Sequence, residues 1–247
     1  MNPPHDWIVP DWPAPPGVGS LITTRNGGVS VGAHRSFNLG LRADDDPVAV
    51  AANRAILRAH LPQEPVWLKQ VHGAGVVRAD EVTGEPEADA AYTRQAATVC
   101  TVMIADCLPV LLCNANASVV GAAHAGWRGL SSGVLENTLA AMNAPANELL
   151  AFLGPAIGPA AFEVGADVRD AFIASDAAAG DAFLPLGEGK WLADLFLLAR
   201  QRLARHGVNR IYGGGLCTFR DAARFYSYRR DKTAGRMAAM IWLAPAG

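Results

Sequence analysis

The chain has 247 residues, of which 51% are apolar and 18% are charged, and its formal net charge is −2. This length is typical of one large domain or two small ones, and a chain of this size buries enough surface to fold without disulfides. A net charge near zero argues against a nucleic-acid or membrane-surface partner, because both require a basic surface. The composition also excludes collagen, coiled coils and disordered chains.

Four cysteines are present: Cys100, Cys107, Cys113 and Cys217. Their spacing matches neither a CxxC pair nor a disulfide framework, and residues 1–17 lack the charge and the apolar core of a secretory signal. These features are typical of a cytoplasmic protein with reduced thiols. The apolar stretch 95–127 is long enough to cross a membrane, but Asp106, Pro109 and Asn114 interrupt it. We therefore interpret this stretch as buried strands of a sheet.

Apolar periodicity and turn signals predict strands and helices in the first half of the chain. The first strand is predicted at 20–24. Asp46 and Pro47 predict the start of a helix that runs to about Leu61, because aspartate favours the N-cap and proline the first helical position. The next predicted strands are 66–72, 74–79, 98–105, 109–113 and 118–124. The last three are apolar throughout, which is typical of strands covered on both faces.

In the second half, helices are predicted at 133–142, 166–174 and 191–206. The last is the clearest, because Leu192, Leu195 and Leu198 fall on one side and Gly207 favours its end. Further strands are predicted at 210–212, 224–228 and 237–243. No linker or fixed-period repeat divides the chain, so we predict a single α/β-type domain with mixed sheets over residues 1–247.

Two histidines and one cysteine lie at positions where apolar strands are predicted to end. His72 ends the strand 66–72, His124 ends the strand 118–124, and Cys107 lies between two other strands. Loops at strand ends commonly present functional side chains. Two imidazoles and a thiolate are good zinc ligands, and three protein ligands leave a fourth position open for water or substrate. Asp89 and Asp106 are candidates to orient a ligating imidazole.

The spacing of these three residues matches no compact metal motif, so other interpretations stay open. His72 and His124 could be unrelated histidines beside a buried structural thiol. The set could hold copper, although a blue-copper site also requires a weak axial ligand. Cys107 could instead be the nucleophile of a hydrolase, with His124 as base and Asp106 or Asp89 as the orienting group.

Nine motifs in chain order carry a resemblance to a known family. They are TTRNGGVS at 23–30, FNLG at 37–40, QVHG at 70–73, ADA at 88–90, ADCLPV at 105–110, HAGWRG at 124–129, GPAIGP at 154–159, CT at 217–218 and YSYRRD at 226–231. Together they resemble the YfiH-type, or laccase-domain, family. The resemblance implies an α+β domain with mixed β-sheets, helices outside and a metal pocket at the strand ends.

The resemblance also implies a function. Members are regarded as purine nucleoside phosphorylases with adenosine deaminase activity. The expected substrates are phosphate and adenosine, inosine or methylthioadenosine, and the products are the free base and ribose 1-phosphate. The resemblance implies that His72, Cys107 and His124 are the catalytic residues and hold a metal, Zn²⁺ or alternatively Cu²⁺. The family's older name leaves a copper-dependent polyphenol oxidase as an alternative. A non-catalytic domain with structural zinc is a further one.

Substrate-binding residues are predicted from the same motifs. Arg25 and Arg229 are predicted to bind phosphate, because a guanidinium group can contact two phosphate oxygens at once. Asn38 is predicted to hydrogen bond to a ribose hydroxyl or to the purine edge. Asp89 and Asp106 are the candidates for moving a proton to the leaving group.

Overall fold

The computed structural model of the protein describes residues 6–245, so residues 1–5 of the N-terminal segment discussed above lie outside it, as do 246–247. Six α-helices are present in this range: α1 (Pro47–Arg58), α2 (Trp127–Ser131), α3 (Val134–Met142), α4 (Ala166–Ile173), α5 (Leu195–Arg205) and α6 (Tyr228–Asp231). The strands are β1 (Val18–Ile22), β2 (Pro65–Val66), β3 (Val76–Arg78), β4 (Ala90–Thr93), β5 (Val99–Ile104), β6 (Leu108–Asn114), β7 (Val120–Ala125), β8 (Leu149–Leu153), β9 (Glu163–Gly165), β10 (Phe183–Gly187), β11 (Lys190–Ala193), β12 (Arg210–Gly213) and β13 (Met237–Leu243).

The strands form three sheets. The largest has six strands in the order β12-β8-β6-β7-β4-β3, the second has the order β1-β13-β5-β2, and the smallest has the order β10-β11-β9. The outer pairs of the six-stranded sheet are parallel and its central pairs are antiparallel. The predicted α+β class with mixed sheets and flanking helices is confirmed.

The two larger sheets pack face to face, and helices cover their outer faces. Leu111 on β6 belongs to the core between the sheets, whereas its neighbour Leu112 packs against the α3 and α5 side. Leu57 of α1 packs with Met240 against the outer face of the four-stranded sheet. Strand β6 is therefore buried on both faces, which explains its continuous apolar sequence.

The apolar stretch 95–127 contains β5, β6 and β7, which confirms its interpretation as buried strands. None of the helices in residues 6–245 has the length and apolar character needed to cross a membrane. The helix predicted to start at Asp46 is also confirmed. The Asp46 carboxylate accepts the N–H of Val48 at 2.9 Å, and the helix ends at Arg58, three residues before the predicted Leu61.

The predicted helix 191–206 is wrong in its first residues. Trp191 and Leu192 pair in β11 with strands on both sides. Helix α5 begins only at Leu195, because the Asp194 carboxylate accepts the N–H of Leu197 at 3.0 Å and so forms the N-cap. The leucine spacing continues across this boundary, so the pattern alone did not reveal the change from strand to helix.

The predicted strands 66–72 and 224–228 are also wrong. Strand β2 ends at Val66, and the chain beyond it makes only a single bridge, through Lys69, before the loop that carries His72. Residues 224–227 form no strand. Ser227 instead begins α6, where its hydroxyl accepts the N–H of Arg230 at 3.2 Å. Strands β4, β8, β9 and β10 were not predicted.

Truncating the core between the two large sheets is expected to destabilise the protein strongly. The side chain of Leu111 is fully buried. Its replacement by alanine is expected to lower the free energy of unfolding by about 2–5 kcal/mol. The matched control is Leu184→Ala, because Leu184 is 63% exposed and its truncation is expected to cost less than about 0.5 kcal/mol. Urea unfolding measures both, and equal effects would contradict the packing of the sheets.

Candidate metal centre

The three residues predicted as metal ligands come together in the fold. One nitrogen each from His72 and His124 and the Sγ atom of Cys107 lie within 4.8 Å of one another. The two imidazole rings have centroids 4.9 Å apart and are nearly perpendicular. Within residues 6–245, no other group of three or more His, Cys, Asp or Glu side chains meets the same spacing. Two imidazoles and a thiolate form a donor set that fits zinc and also copper.

Different parts of the fold supply the three side chains. Cys107 lies where the chain crosses from β5 in the four-stranded sheet to β6 in the six-stranded sheet. His124 lies near the end of β7, opposite Pro109 of β6. His72 lies in the loop after β2, not at a strand end as predicted, and its φ of +61° is left-handed. The loop must therefore be fixed by other contacts.

The buried carboxylate of Asp89 supplies those contacts. Its two oxygens accept the backbone N–H groups of Val71, His72 and Gly73 at 3.1, 2.9 and 2.7 Å. Its Oδ1 atom also lies 2.8 Å from Nδ1 of His124. This contact leaves Nε2 of His124 as the ring nitrogen available to a metal. One carboxylate thus sets the loop that carries one histidine and orients the other.

The charges of the cluster stabilise one another. Burial by itself raises the pKa of Cys107, but His124 and His72 outweigh it and lower this pKa to about 6. Burial by itself lowers the pKa of His124, yet Cys107 and Asp89 raise it to about 9. Burial likewise opposes ionisation of Asp89, but the bonds from His124 and Gly73 keep its pKa below the ordinary value. The thiolate is the form of cysteine that binds a metal, and histidine binds one as the neutral imidazole.

The second carboxylate, Asp106, connects the Cys107 turn to two distant segments. Its Oδ1 accepts the hydroxyl of Thr218 at 2.6 Å, and its Oδ2 accepts the hydroxyl of Ser227 at 3.0 Å and the N–H of Arg229 at 2.7 Å. Its φ of +88° belongs to the left-handed region. Both oxygens are therefore engaged, as are those of Asp89. These contacts give the two aspartates positioning roles in the fold, whereas their predicted role in moving protons stays a prediction.

The cluster lies on the wall of a cavity of about 560 Å³. This volume is in the range of small-molecule sites. Four arginines line it: Arg42, Arg128, Arg229 and Arg236. Its apolar and aromatic lining includes Leu68, Met103, Trp127, Ile157, Phe162 and Tyr228. A cavity with cationic groups above flat apolar surfaces suits an aromatic ligand that carries, or reacts with, an anion.

The structure brings one of the three predicted substrate-binding residues to this cavity. Arg229 lines it. Arg25 does not, and its guanidinium group donates to the carbonyl groups of Arg35 and Ala222, both at 3.1 Å. Asn38 is fully buried, and its Oδ1 atom accepts the N–H of Arg236 at 2.7 Å. Asn38 thus holds a cavity residue in place without facing the cavity.

Sequence reasoning missed Arg236. It lies immediately before β13, outside every quoted motif, and only the fold brings it beside Cys107. Burial by itself lowers the pKa of its guanidinium group, while the nearby Cys107, Tyr228 and Asp106 oppose this. An isolated arginine in a sequence gives no signal of such a position.

In the metal-free protein, Cys107 is expected to react faster than the buried thiols of Cys100 and Cys113. Because its pKa is about 6, iodoacetamide labelling is expected to rise as the pH passes through this value. Burial raises the pKa of Cys100 and Cys113, the latter to about 12, so both are expected to stay unlabelled. Peptide mass spectrometry measures each site, and added zinc is expected to protect Cys107. Labelling of Cys107 that rises only near its ordinary pKa of 9.0 would contradict the electrostatic argument.

These features define a class of protein: an α+β domain with a His–Cys–His cluster on the wall of an arginine-lined cavity. The family model described as "Multi-copper polyphenol oxidoreductase laccase" matches residues 19–244, and the chain belongs to this family. The YfiH-type resemblance is thereby confirmed. The chain is 54% identical over 242 residues to purine nucleoside phosphorylase YfiH of Escherichia coli, covering 96% of this chain and 98% of that protein. It is 53% identical to a purine nucleoside phosphorylase of Pseudomonas aeruginosa, with the same coverage.

Solved structures show the same fold. Protein NMB0706 of Neisseria meningitidis superimposes with a TM-score of 0.94 at 51% identity, over 97% of this chain and 100% of that one. YlmD of Geobacillus stearothermophilus superimposes with a TM-score of 0.88 at 29% identity, over 99% of this chain and 98% of that one. The fold is therefore shared along nearly the full length of these proteins.

Proposed function

We propose that the chain is a metal-dependent purine nucleoside phosphorylase that takes adenosine, inosine or methylthioadenosine. The observation that carries this proposal is the arginine-lined cavity with a His–Cys–His cluster on its wall. Relatives about 54% identical over nearly the whole chain carry the name purine nucleoside phosphorylase, which supports the same substrate class here. Both substrates of that reaction, a flat base on a sugar and an inorganic anion, match the chemistry of the cavity.

The aromatic lining supports a place for the purine. Trp127, Phe162 and Tyr228 offer flat apolar surfaces on which a base can stack. Tyr228 is 54% exposed, so its ring remains available to a ligand. The guanidinium group of Trp127's neighbour Arg128 lies 4.4 Å from the indole centroid and covers one part of that ring. These contacts favour an aromatic substrate over an aliphatic one.

The arginines support phosphate binding. In phosphorolysis the C1′–N9 bond of the nucleoside breaks while a bond forms between C1′ and a phosphate oxygen, and the proton that the phosphate loses goes to the departing purine. Arg229 is proposed to contact the substrates, because its backbone is fixed by Asp106 and its side chain lines the cavity. We propose that Asn38 affects substrate binding indirectly. Its Oδ1 atom accepts hydrogen bonds from the N–H groups of Gly40 and Arg236 and so holds these two cavity residues in position. Arg25 is proposed to shape the neighbouring loop through its carbonyl contacts.

The metal proposed for the cluster is zinc, with copper as the alternative. His72, Cys107 and His124 would hold it, and three protein ligands are the number found in catalytic zinc sites. When bound, such an ion would supply Lewis-acid polarisation of a substrate oxygen or of water. We propose that the same site also deaminates adenosine, a reaction for which a metal next to a base-binding surface is suited. Asp89 contacts the backbone N–H of His72 and the ring of His124, and so would hold both ligands in place for either reaction.

The test uses the full chain purified without added metal. Bound metals are counted by mass spectrometry, and the protein is incubated with each of the three nucleosides with and without phosphate. Free base that appears only with phosphate, together with about one zinc per chain, is the expected result. Inosine formed from adenosine without phosphate would support the deaminase activity. Oxygen uptake with a phenol and copper would instead favour the polyphenol oxidase, and full metal occupancy without any purine product would refute the proposal.

A further inference from the structure

Arg236 differs from the other arginines of the cavity in its partners. Its Nη1 atom donates to the carbonyl groups of Ala234 at 2.6 Å and Gly235 at 3.3 Å. Its Nε and Nη2 atoms donate to no residue in the part of the chain that the structure describes, and no carboxylate there lies within 4.0 Å of the group. Arg42, by contrast, is paired with Glu85 at 2.8 Å. Arg236 is thus a half-buried cation that lines the cavity and has two donor atoms without a partner among residues 6–245.

The fold fixes this arginine closely. The Asn38 side chain accepts the N–H of Arg236 at 2.7 Å and the N–H of Gly40 at 3.0 Å, and so ties the two segments together. A Cβ atom at Gly40 would lie 2.7 Å from Cγ of Arg236, so this position can carry only glycine while the arginine keeps its place. A surface arginine that merely covers a cavity needs no such arrangement.

A cation in this position is costly without an anion. Burial removes water from the guanidinium group; the two carbonyl groups that Nη1 contacts offset part of this cost, and an anion at the other donor atoms would offset more of it. Cys107 and Asp106 lie near enough to act on it electrostatically, but neither forms an ion pair with it. The other three cavity arginines are less suited to hold an anion deep in the site. Arg42 is paired, the Arg128 group lies over Trp127, and Arg229 donates to the carbonyl of Glu163.

We propose that Arg236 is the principal phosphate ligand of the site. Its two unused donor atoms bind two oxygens of an oxyanion beside the His–Cys–His cluster, and Gly40 and Asn38 are positioning residues for it. The oxyanion is inorganic phosphate in the forward direction and the phosphoryl group of the sugar phosphate in the reverse one. The inference rests on the proposed function for its substrate, but binding of the anion can be measured without turnover.

The kinetic test compares Arg236→Gln and Arg236→Lys with the wild type at saturating adenosine and varied phosphate. Loss of the bidentate, charged contact between Arg236 and phosphate is expected to raise the KM for phosphate roughly 10- to 100-fold in the glutamine variant. The KM for adenosine is expected to stay within about twofold of the wild type. The lysine variant keeps the charge but not the planar pair of donors, so a smaller loss is expected. An unchanged KM for phosphate in both variants would overturn the proposal.

Arg200→Gln is the matched control. Arg200 also donates to two backbone carbonyl groups, those of Ile211 at 3.2 Å and Gly213 at 2.7 Å, but it lies outside the cavity. Its replacement removes the same kind of contact and is expected to leave the KM for phosphate unchanged. A similar rise in this variant would mean that the effect comes from general loosening of the fold, and it would refute the role of Arg236.

A binding measurement separates this inference from the proposed function. Titration calorimetry of inorganic phosphate into the metal-loaded protein needs no nucleoside. Binding that the wild type shows and Arg236→Gln lacks would support the anion site even if the protein formed no purine product. Phosphorolysis with unaltered phosphate binding in Arg236→Gln would overturn the anion site and leave the proposed function intact. If the glutamine variant does not fold, as judged by its melting temperature, the lysine variant decides both measurements.

Discussion

Replacing Cys107 with serine is expected to abolish metal binding and to lower phosphorolysis at least about 1,000-fold. The thiolate supplies the negative charge between two imidazoles, and its pKa of about 6 keeps it ionised at neutral pH. A serine hydroxyl has nearly the same shape, but it stays neutral at this pH and is a poor ligand for zinc or copper. Metal content by mass spectrometry and product formation from adenosine and phosphate measure the two effects in the same sample.

The control for this substitution is Cys217→Ser. Cys217 is partly exposed, lies outside the cavity and accepts the N–H of Gly158 at 3.2 Å, a bond that a hydroxyl can also accept. Metal content and rate are expected to stay at wild-type levels in this variant. Full metal occupancy in Cys107→Ser would show that the thiolate is no ligand. Activity that survives complete metal removal but not this substitution would favour the hydrolase alternative, in which His124 and Asp89 support a reacting Cys107.

Local sequence signals were sufficient to predict elements that have a capping residue at their start or a continuous apolar sequence. Asp46 and Pro47 define the start of α1 within a single turn, and that start was predicted correctly. Strand β6 was predicted because it is apolar on both faces. The start of α5 was missed because Trp191 pairs on one side with the nearby strand β10 and on the other side with β9, almost thirty residues earlier, and both pairings compete with helix formation. The pairing with β9 lies outside any short window of sequence.

In the candidate site, too, some residues could be predicted from the sequence and others could not. His72, Cys107 and His124 are residue types with specific metal chemistry, so their motifs gave a signal. Asp89 was among the candidates to orient an imidazole, and its carboxylate contacts His124. Asp89 also accepts hydrogen bonds from three backbone N–H groups. These bonds depend on the left-handed turn at His72, which no sequence pattern predicted. Arg236 was missed because its significance comes from its burial and from two donor atoms that bond to no residue among 6–245, and both are properties of the folded chain.

Removing the carboxylate of Asp89 is expected to weaken both the fold and the metal site. In Asp89→Ala, three backbone N–H groups and the Nδ1 atom of His124 lose their partner. Loss of one member of a buried charged pair costs about 3–5 kcal/mol of unfolding free energy. Loss of a group that orients a ligating histidine lowers metal affinity about 10- to 100-fold. Urea unfolding and competition with a zinc chelator measure the two quantities.

Asp194→Ala provides the matched control, because Asp194 also accepts a backbone N–H but lies at the start of α5, away from the cluster. It is expected to cost about 1 kcal/mol of stability and no metal affinity.

The pH dependence of stability also distinguishes Asp89→Ala from the wild type. The folded-state pKa of Asp89 lies below its ordinary 3.8, so its stabilising contribution is present above that pH and is lost as the pH falls through the folded value. Asp89→Ala is therefore expected to lose less stability than the wild type on acidification. Equal acid sensitivity and equal zinc affinity in Asp89→Ala and the wild type would show that the Asp89 carboxylate does not hold the site together.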